Sequence, residues 1–269
     1  MSGSVRENTA GLRARLDERR GDPGLTALPG DLFAAADLIG QDPLLRGALS
    51  DAGQPSGARV GMVRTLFGDR LSPLAVDVLG DVVAQRWAGP VFLLEAVEEL
   101  AAQADFLLAE QVGSLDAVED ELFVFAQALA GSADLQMALT DPSVGSAEKA
   151  SLVRTLLAGR PTPQATEVLA YTMGHLRGRR AGTVLEYLID LAAEQRGRSV
   201  AEVVVARGLE PDQAERLAAV LSRINGRDVR LNVVVDPEVV GGISVRIGEQ
   251  VIDGTMATRI QQARRALVG

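Results

Sequence analysis

The chain has 269 residues and a net charge of −9, from 27 basic and 36 acidic side chains. Apolar residues make up 47% and aromatic ones only 3%, so buried cores exist and must be aliphatic, which suits helix packing better than an aromatic-rich β-sandwich. The absence of cysteine excludes disulfides, cysteine-held zinc, iron–sulfur clusters and thiol catalysis, and a single histidine, His175, excludes a multi-histidine metal site.

Lys149 is the only lysine, so Schiff-base or P-loop chemistry has one candidate position, and no GxxxxGK[ST] surrounds it. The acidic balance argues against nucleic acid as a partner. Residues 1–194 hold 16 basic and 27 acidic groups and residues 195–269 hold 11 and 9, an asymmetry that points to a boundary near 195. No apolar run approaches the roughly 18 residues of a membrane span. The polar start, Met1 to Arg20, reads neither as a signal peptide nor as a membrane helix, so a cytoplasmic chain is expected.

Val5 to Arg20 reads as a soluble helix with only Leu12 and Leu16 on its apolar side. From residue 31 onward the chain repeats itself at an offset of 90, with 17 identities in the 57 positions from 31 to 87. Leu32-Phe33 recurs as Leu122-Phe123, and Val63-Arg64-Thr65-Leu66 as Val153-Arg154-Thr155-Leu156. Pro73, Val78 and Leu79 recur as Pro163, Val168 and Leu169. A period this long is no solenoid unit; it reads as a duplicated small domain. Val91 to Val112 is a long helix that ends one copy and begins the next.

Each copy reads as five or six short helices. In the second, Leu122 to Leu129 follows a run of acids suited to a helix N-terminus. Asp141-Pro142 breaks the next stripe, and Thr162-Pro163 fits a cap followed by proline at the first helical position. The helix from Gln164 to Leu176 has two apolar sides. After residue 195 the pattern changes: Val203-Val204-Val205 is a strand, and Pro211 to Ile224 a helix. Val229, Leu231, Val233 and Val235 alternate inward on a second strand. Ile243 to Ile247 and Gln250 to Ile252 form a hairpin across Gly248-Glu249, and Met256 to Leu267 is a closing helix. The expected fold is mainly α: two tandem small helical bundles over 1–103 and 104–194, then a small α+β domain over 195–269.

The tail carries a specific pattern. Asp236-Pro237-Glu238-Val239-Val240-Gly241-Gly242-Ile243 is followed by Val245-Arg246-Ile247-Gly248, then by Val251-Ile252-Asp253-Gly254-Thr255 and Arg259-Ile260. This resembles the C-terminal signature of the delta subunit of the rotary F-type ATP synthase, the family of the mitochondrial oligomycin-sensitivity-conferring protein. Residues 104–194 are similar to that family's N-terminal helical domain. The extra copy and the near-total use of arginine resemble an unfused actinobacterial form with a duplicated helical domain.

The resemblance implies a non-catalytic stator subunit without cofactor or metal, one copy per complex, peripheral on the cytoplasmic face of the cell membrane. Its implied partners are the N-terminal segments of alpha subunits and the b-type peripheral stalk. The candidate groove for an alpha segment lies on the first and fifth helices of the second copy, at Leu107, Leu108, Val112, Val168, Thr172 and Leu176; packing of both faces into the core is the alternative. A second groove would use Val78, Val82 and Gln85. Gly241, Gly242, Gly248, Asp253, Gly254 and Arg259 either shape the tail or face the stalk. His175 reads as a packed or surface side chain. A small cytoplasmic enzyme, or an unrelated helical-repeat scaffold, is the competing function; the first lacks a visible nucleophile–base pair and the second leaves the tail motif unexplained.

Overall fold

A computed structural model describes residues 3–159, 162–198, 200–225, 229–236, 242–247 and 250–253. The chain divides into two compact units, Met1–Ala192 and Ala193–Gly269.

The first unit is all-helical. Its first part holds α1 (Gly3–Glu18), a 3-10 turn (Pro23–Thr26), α2 (Leu28–Gln41), α3 (Pro43–Ser50), α4 (Ser56–Phe67) and α5 (Pro73–Ala84). The helix α6 (Pro90–Gln111) then runs on without a break into the second copy, which continues as α7 (Leu115–Gly131), α8 (Ala133–Thr140), α9 (Ser146–Leu156), α10 (Pro163–Gly174) and α11 (Ala181–Arg198). Short polar caps stop and start these helices. The Asp42 carboxylate accepts from the Leu44 and Leu45 amides ahead of α3, and Ser132 Oγ accepts from the Leu135 amide ahead of α8, 90 positions later. Ser72 and Thr162 cap α5 and α10 in the same way, each followed by proline.

Why two copies form one unit is visible in α6. Its residues from Leu93 to Leu107 are buried on nearly every side, including Glu98, Glu99, Gln103 and Asp105. A helix apolar on one stripe covers one neighbour; one buried all round is a central post. It packs against α1, α2, α3 and α5 of the first copy and α7 and α10 of the second. One continuous aliphatic core results, from Leu12 to Ala192.

The second unit is a small α+β fold. The strands are β1 (Val200–Val205), β2 (Arg230–Val235), β3 (Ile243–Ile247) and β4 (Gln250–Asp253), with α12 (Pro211–Asn225) between the first two. The sheet order is β2-β1-β3-β4; β1 pairs parallel with β2 across the helical crossover, and antiparallel with β3. Ala201, Val203, Val205, Val229, Val245 and Leu221 make its core. One expectation fails here: Val233 and Val235 are exposed rather than inward. β2 is an edge strand, and only Val229 just before it and Leu231 near its start reach the packed cluster. The closing helix expected at 256–267 lies outside the described residues.

Candidate functional site

Besides sharing α6, the two copies meet where a side chain of α2 reaches one of α10. Phe33 stacks on Tyr171 with ring centroids 4.2 Å apart, and Tyr171 stacks in turn on His175 at 4.3 Å. Aromatic stacking adds to plain burial. Nε2 of His175 lies 2.9 Å from Asp37 Oδ1, and its Nδ1 lies 2.9 Å from the Tyr171 carbonyl. The ring is therefore a packed joint, the structural role expected of it. Burial, then the nearby charge of Asp37, pushes the Tyr171 hydroxyl up, so it stays protonated.

A second joint lies beside the first. Glu98 of α6 is held by Arg177 and, at 2.8 Å, by Arg179 from the turn between α10 and α11. Burial and the neighbouring Arg179 lower Arg177 to about 10, still charged at neutral pH. Arg177 has φ 48, a left-handed backbone uncommon for a side chain of its size. The Glu98 clasp lies at this turn, where Gly178 also has positive φ. Arg179 additionally donates to the His175 carbonyl at the end of α10, at 3.1 Å.

Within this frame the candidate groove residues take unequal places. Leu107, Val168, Thr172 and Leu176 are buried, Val168 completely. Thr172 satisfies its hydroxyl by donating to the Val168 carbonyl at 2.6 Å. Leu108 is half-buried against the same core, and Val112, just past the end of α6, is 71% exposed. In the first copy Val78 and Val82 are buried, and Gln85 is a half-buried cap at the end of α5 whose carbonyl accepts from Arg59 at 2.8 Å. Gln85 and His175 occupy the same position of the repeat and both end their helix. In the tail, Gly242 has φ +91 and opens the segment before β3, while Asp253 closes β4. Gly241, Gly248, Gly254 and Arg259 lie outside the described residues.

Phe33, Asp37, Glu98, Arg177 and Arg179 were not anticipated as a joint. The signal was present. Leu32 and Phe33 are both retained as Leu122 and Phe123, yet adjacent residues on a helix point about 100° apart and cannot both line one core stripe. Leu32 and Leu122 fill the core at 0% exposure, which leaves the phenylalanines on another face. Among the described residues no group of three or more acidic or histidine side chains could hold a metal, and no single helix is long and apolar enough to cross a membrane.

Comparison with known proteins agrees with the tail pattern. The family model for the ATP synthase delta (OSCP) subunit matches residues 98–267. An ATP synthase subunit delta from Parafrankia sp. (strain EAN1pec) is 40% identical over 277 residues, covering 99% of each chain. One from Kineococcus radiotolerans is 40% identical across 96% of this chain and 93% of that one. One from Streptomyces avermitilis is 39% identical across 98% of both. A chain in the mitochondrial ATP synthase hexamer of Toxoplasma gondii aligns at a TM-score of 0.34 and 20% identity, over 64% of this chain and 97% of that chain, too weakly to bear on the fold. With a family model over more than half its length and relatives along nearly all of it, the chain belongs to the ATP synthase delta (OSCP) family.

Proposed function

We propose that this chain, by its family a non-catalytic stator subunit of the ATP synthase, holds N-terminal segments of alpha subunits with its helical bundles and the tip of the b-type stalk with its C-terminal unit. In this reading residues 1–103, 104–194 and 195–269 are its three parts, and the complex carries it peripherally at the cytoplasmic face of the membrane. A stator must resist torque, so that rotation is spent on nucleotide exchange and not on turning the head. That demands slow dissociation and a stiff body between the two contacts.

The observation that carries the reading is the relation to delta subunits over 99% of the chain. The unbroken α6, buried on nearly every side, is in keeping with a stiff body. The alpha segment would meet Val112 and Leu108 directly. Leu107, Val168, Thr172 and Leu176 would support that seat from beneath, being buried already. Val78, Val82 and Gln85 would support a second seat, and the pattern Gly241, Gly242, Gly248, Asp253, Gly254 and Arg259 would face the stalk.

The test uses the full chain, isotope-labelled, with an alpha N-terminal peptide and a soluble b fragment added separately. Amide shifts should cluster near Leu108 and Val112 with the peptide, and in residues 200–253 with the b fragment. Val112→Asp should weaken the peptide by about tenfold and leave the b fragment unaffected. If neither addition shifts any amide, the reading is wrong.

A further inference from the structure

α2 and α7 are the same helix of the repeat, yet their outer faces differ. On α2, Phe33 is only 8% exposed because Tyr171 of α10 lies on it. Asp37 meets His175, and Arg177 reaches across Gly40, where an added Cβ would stand 2.6 Å from its Nη2. The matching positions on α7 are Phe123, Gln127 and Ala130, and all three are exposed. Phe123 is 55% exposed and the adjacent Val124 65%.

The contact between the copies is head-to-tail: the Tyr171 face of one meets the Phe33 face of the other. Such a contact leaves one face of each kind over. The left-over counterpart of Tyr171 is Asp81, which pairs with Arg19 at 2.7 Å and Arg15 at 3.4 Å. The counterpart of His175 is Gln85. That end is polar and closed by the chain's own α1, as the terminal unit of a repeat array must be. The other end keeps its aromatic ring. It has also gained an acid: exposed Asp120, three residues before Phe123 on the same side of α7, stands where the first copy has Gly30.

We propose that the Phe123–Gln127–Ala130 face of α7 docks an amphipathic helix of another ATP synthase subunit, one that presents an aromatic ring flanked by a basic side chain. The ring takes the place that Tyr171 takes on Phe33, and the cation meets Asp120. A second copy of this chain does not supply that helix, because its Tyr171 is already stacked on its own Phe33. The docking rests on the stator reading but uses a face apart from the Leu108 and Val112 seat.

The test places the photo-crosslinking residue p-benzoylphenylalanine at position 123 of the full chain in cells that assemble the ATP synthase. The complex is irradiated and purified, and adducts are sequenced. The expected adduct is one helical segment of another subunit with an aromatic residue beside Lys or Arg. In parallel, Phe123→Asp should lower retention in the complex by about tenfold or more, with the melting temperature of the isolated chain unchanged because the ring is exposed. Adducts confined to a second copy of this chain, to lipid or to a segment without an aromatic residue overturn the proposal, as does unchanged retention of the Phe123→Asp chain. If the probe-bearing chain co-purifies with the complex and no adduct forms, the docking fails and the stator reading stands. If the wild-type chain does not co-purify, both fail.

Discussion

In both copies of the repeat the second helix reaches back to clasp the cap of the fifth. The Asp31 carboxylate of α2 accepts from the Ser72 amide at 2.8 Å, and the Glu121 carboxylate of α7 accepts from both the Thr162 amide and its hydroxyl at 2.8 Å. That clasp is internal to each copy and survived duplication with a change of side-chain length. The outer face of the same helix did not keep its environment: it is covered in the first copy and bare in the second. The contact inside each copy is shared, while the outer surface differs with the neighbour each copy meets.

The sharpest way to break this comparison is the pair Phe33→Ala and Phe123→Ala. Removing a buried ring deletes its transfer energy and leaves a cavity, so Phe33→Ala should cost about 3 kcal/mol. Phe123→Ala, at an exposed position, should stay within about 0.5 kcal/mol. Urea denaturation of the full chain followed by circular dichroism measures both. Equal losses would mean that Phe123 is covered and that the two faces are alike after all.

Next in size is Glu98→Gln. It leaves two guanidinium groups around a neutral amide, and one-sided removal of a buried charge is the costly kind. Both arginines keep 31% of their side-chain exposure, so the loss should be about 2 kcal/mol, below that of a fully buried pair. Because Glu98 ties α6 to the α10–α11 turn, hydrogen exchange should quicken in α10 and α11 more than in α4 and α5. Uniform acceleration would show that the clasp is not what joins the copies locally.

Smaller again are the two internal clasps. Asp31→Asn should cost about 1 kcal/mol, and Glu121→Gln somewhat more, about 1–2 kcal/mol, since Glu121 accepts a hydroxyl as well as an amide. The double variant should be additive to within about 0.5 kcal/mol if the clasps are independent. Strong coupling between them would mean that the caps communicate through the shared core.

Much of this architecture was legible in the sequence for physical reasons. The cap at Thr162 announces itself, because a hydroxyl before proline has few better uses than a helix start. The β-branched run Val203-Val204-Val205 likewise marks a strand. The second apolar side of α10 was also legible, but its occupant was not. That side carries Tyr171 and His175, and only the structure shows Phe33, 138 positions before Tyr171 in the chain, lying on the tyrosine ring. Self-similarity shows which positions two copies share, not which copy covers which. The same gap explains why Val168 and Thr172 were candidates for an open groove and are buried here: periodicity reports that a face is apolar and is silent about what fills it.

The last contrast, no larger than that at Asp31 and vanishing at low pH, is between the first helices of the two copies. Arg15 of α1 and Asp105 of α6 lie 90 positions apart, on the helices that open the two copies. The side chain of Arg15 is 54% exposed, whereas Asp105 is 6% exposed with no hydrogen-bond partner for Oδ2. Burial, and then the negative charge of Glu167, holds the Asp105 carboxyl well above the usual carboxylate range. A folded-state value raised in this way costs no stability while the proton is on in both states. Below about pH 4 both folded and unfolded chains carry it, and the group behaves as a neutral amide would. As the pH rises past the unfolded value, the unfolded chain ionises freely while the folded one resists. Stability drains until the folded value is passed. Asp105→Asn removes that loss. The variant should therefore be more stable than the parent by about 1 kcal/mol near pH 7, with the gap closing toward pH 4. Urea midpoints at the two pH values read this directly, and a gap that is the same at both would mean that Asp105 ionises in the folded chain as readily as in the unfolded one.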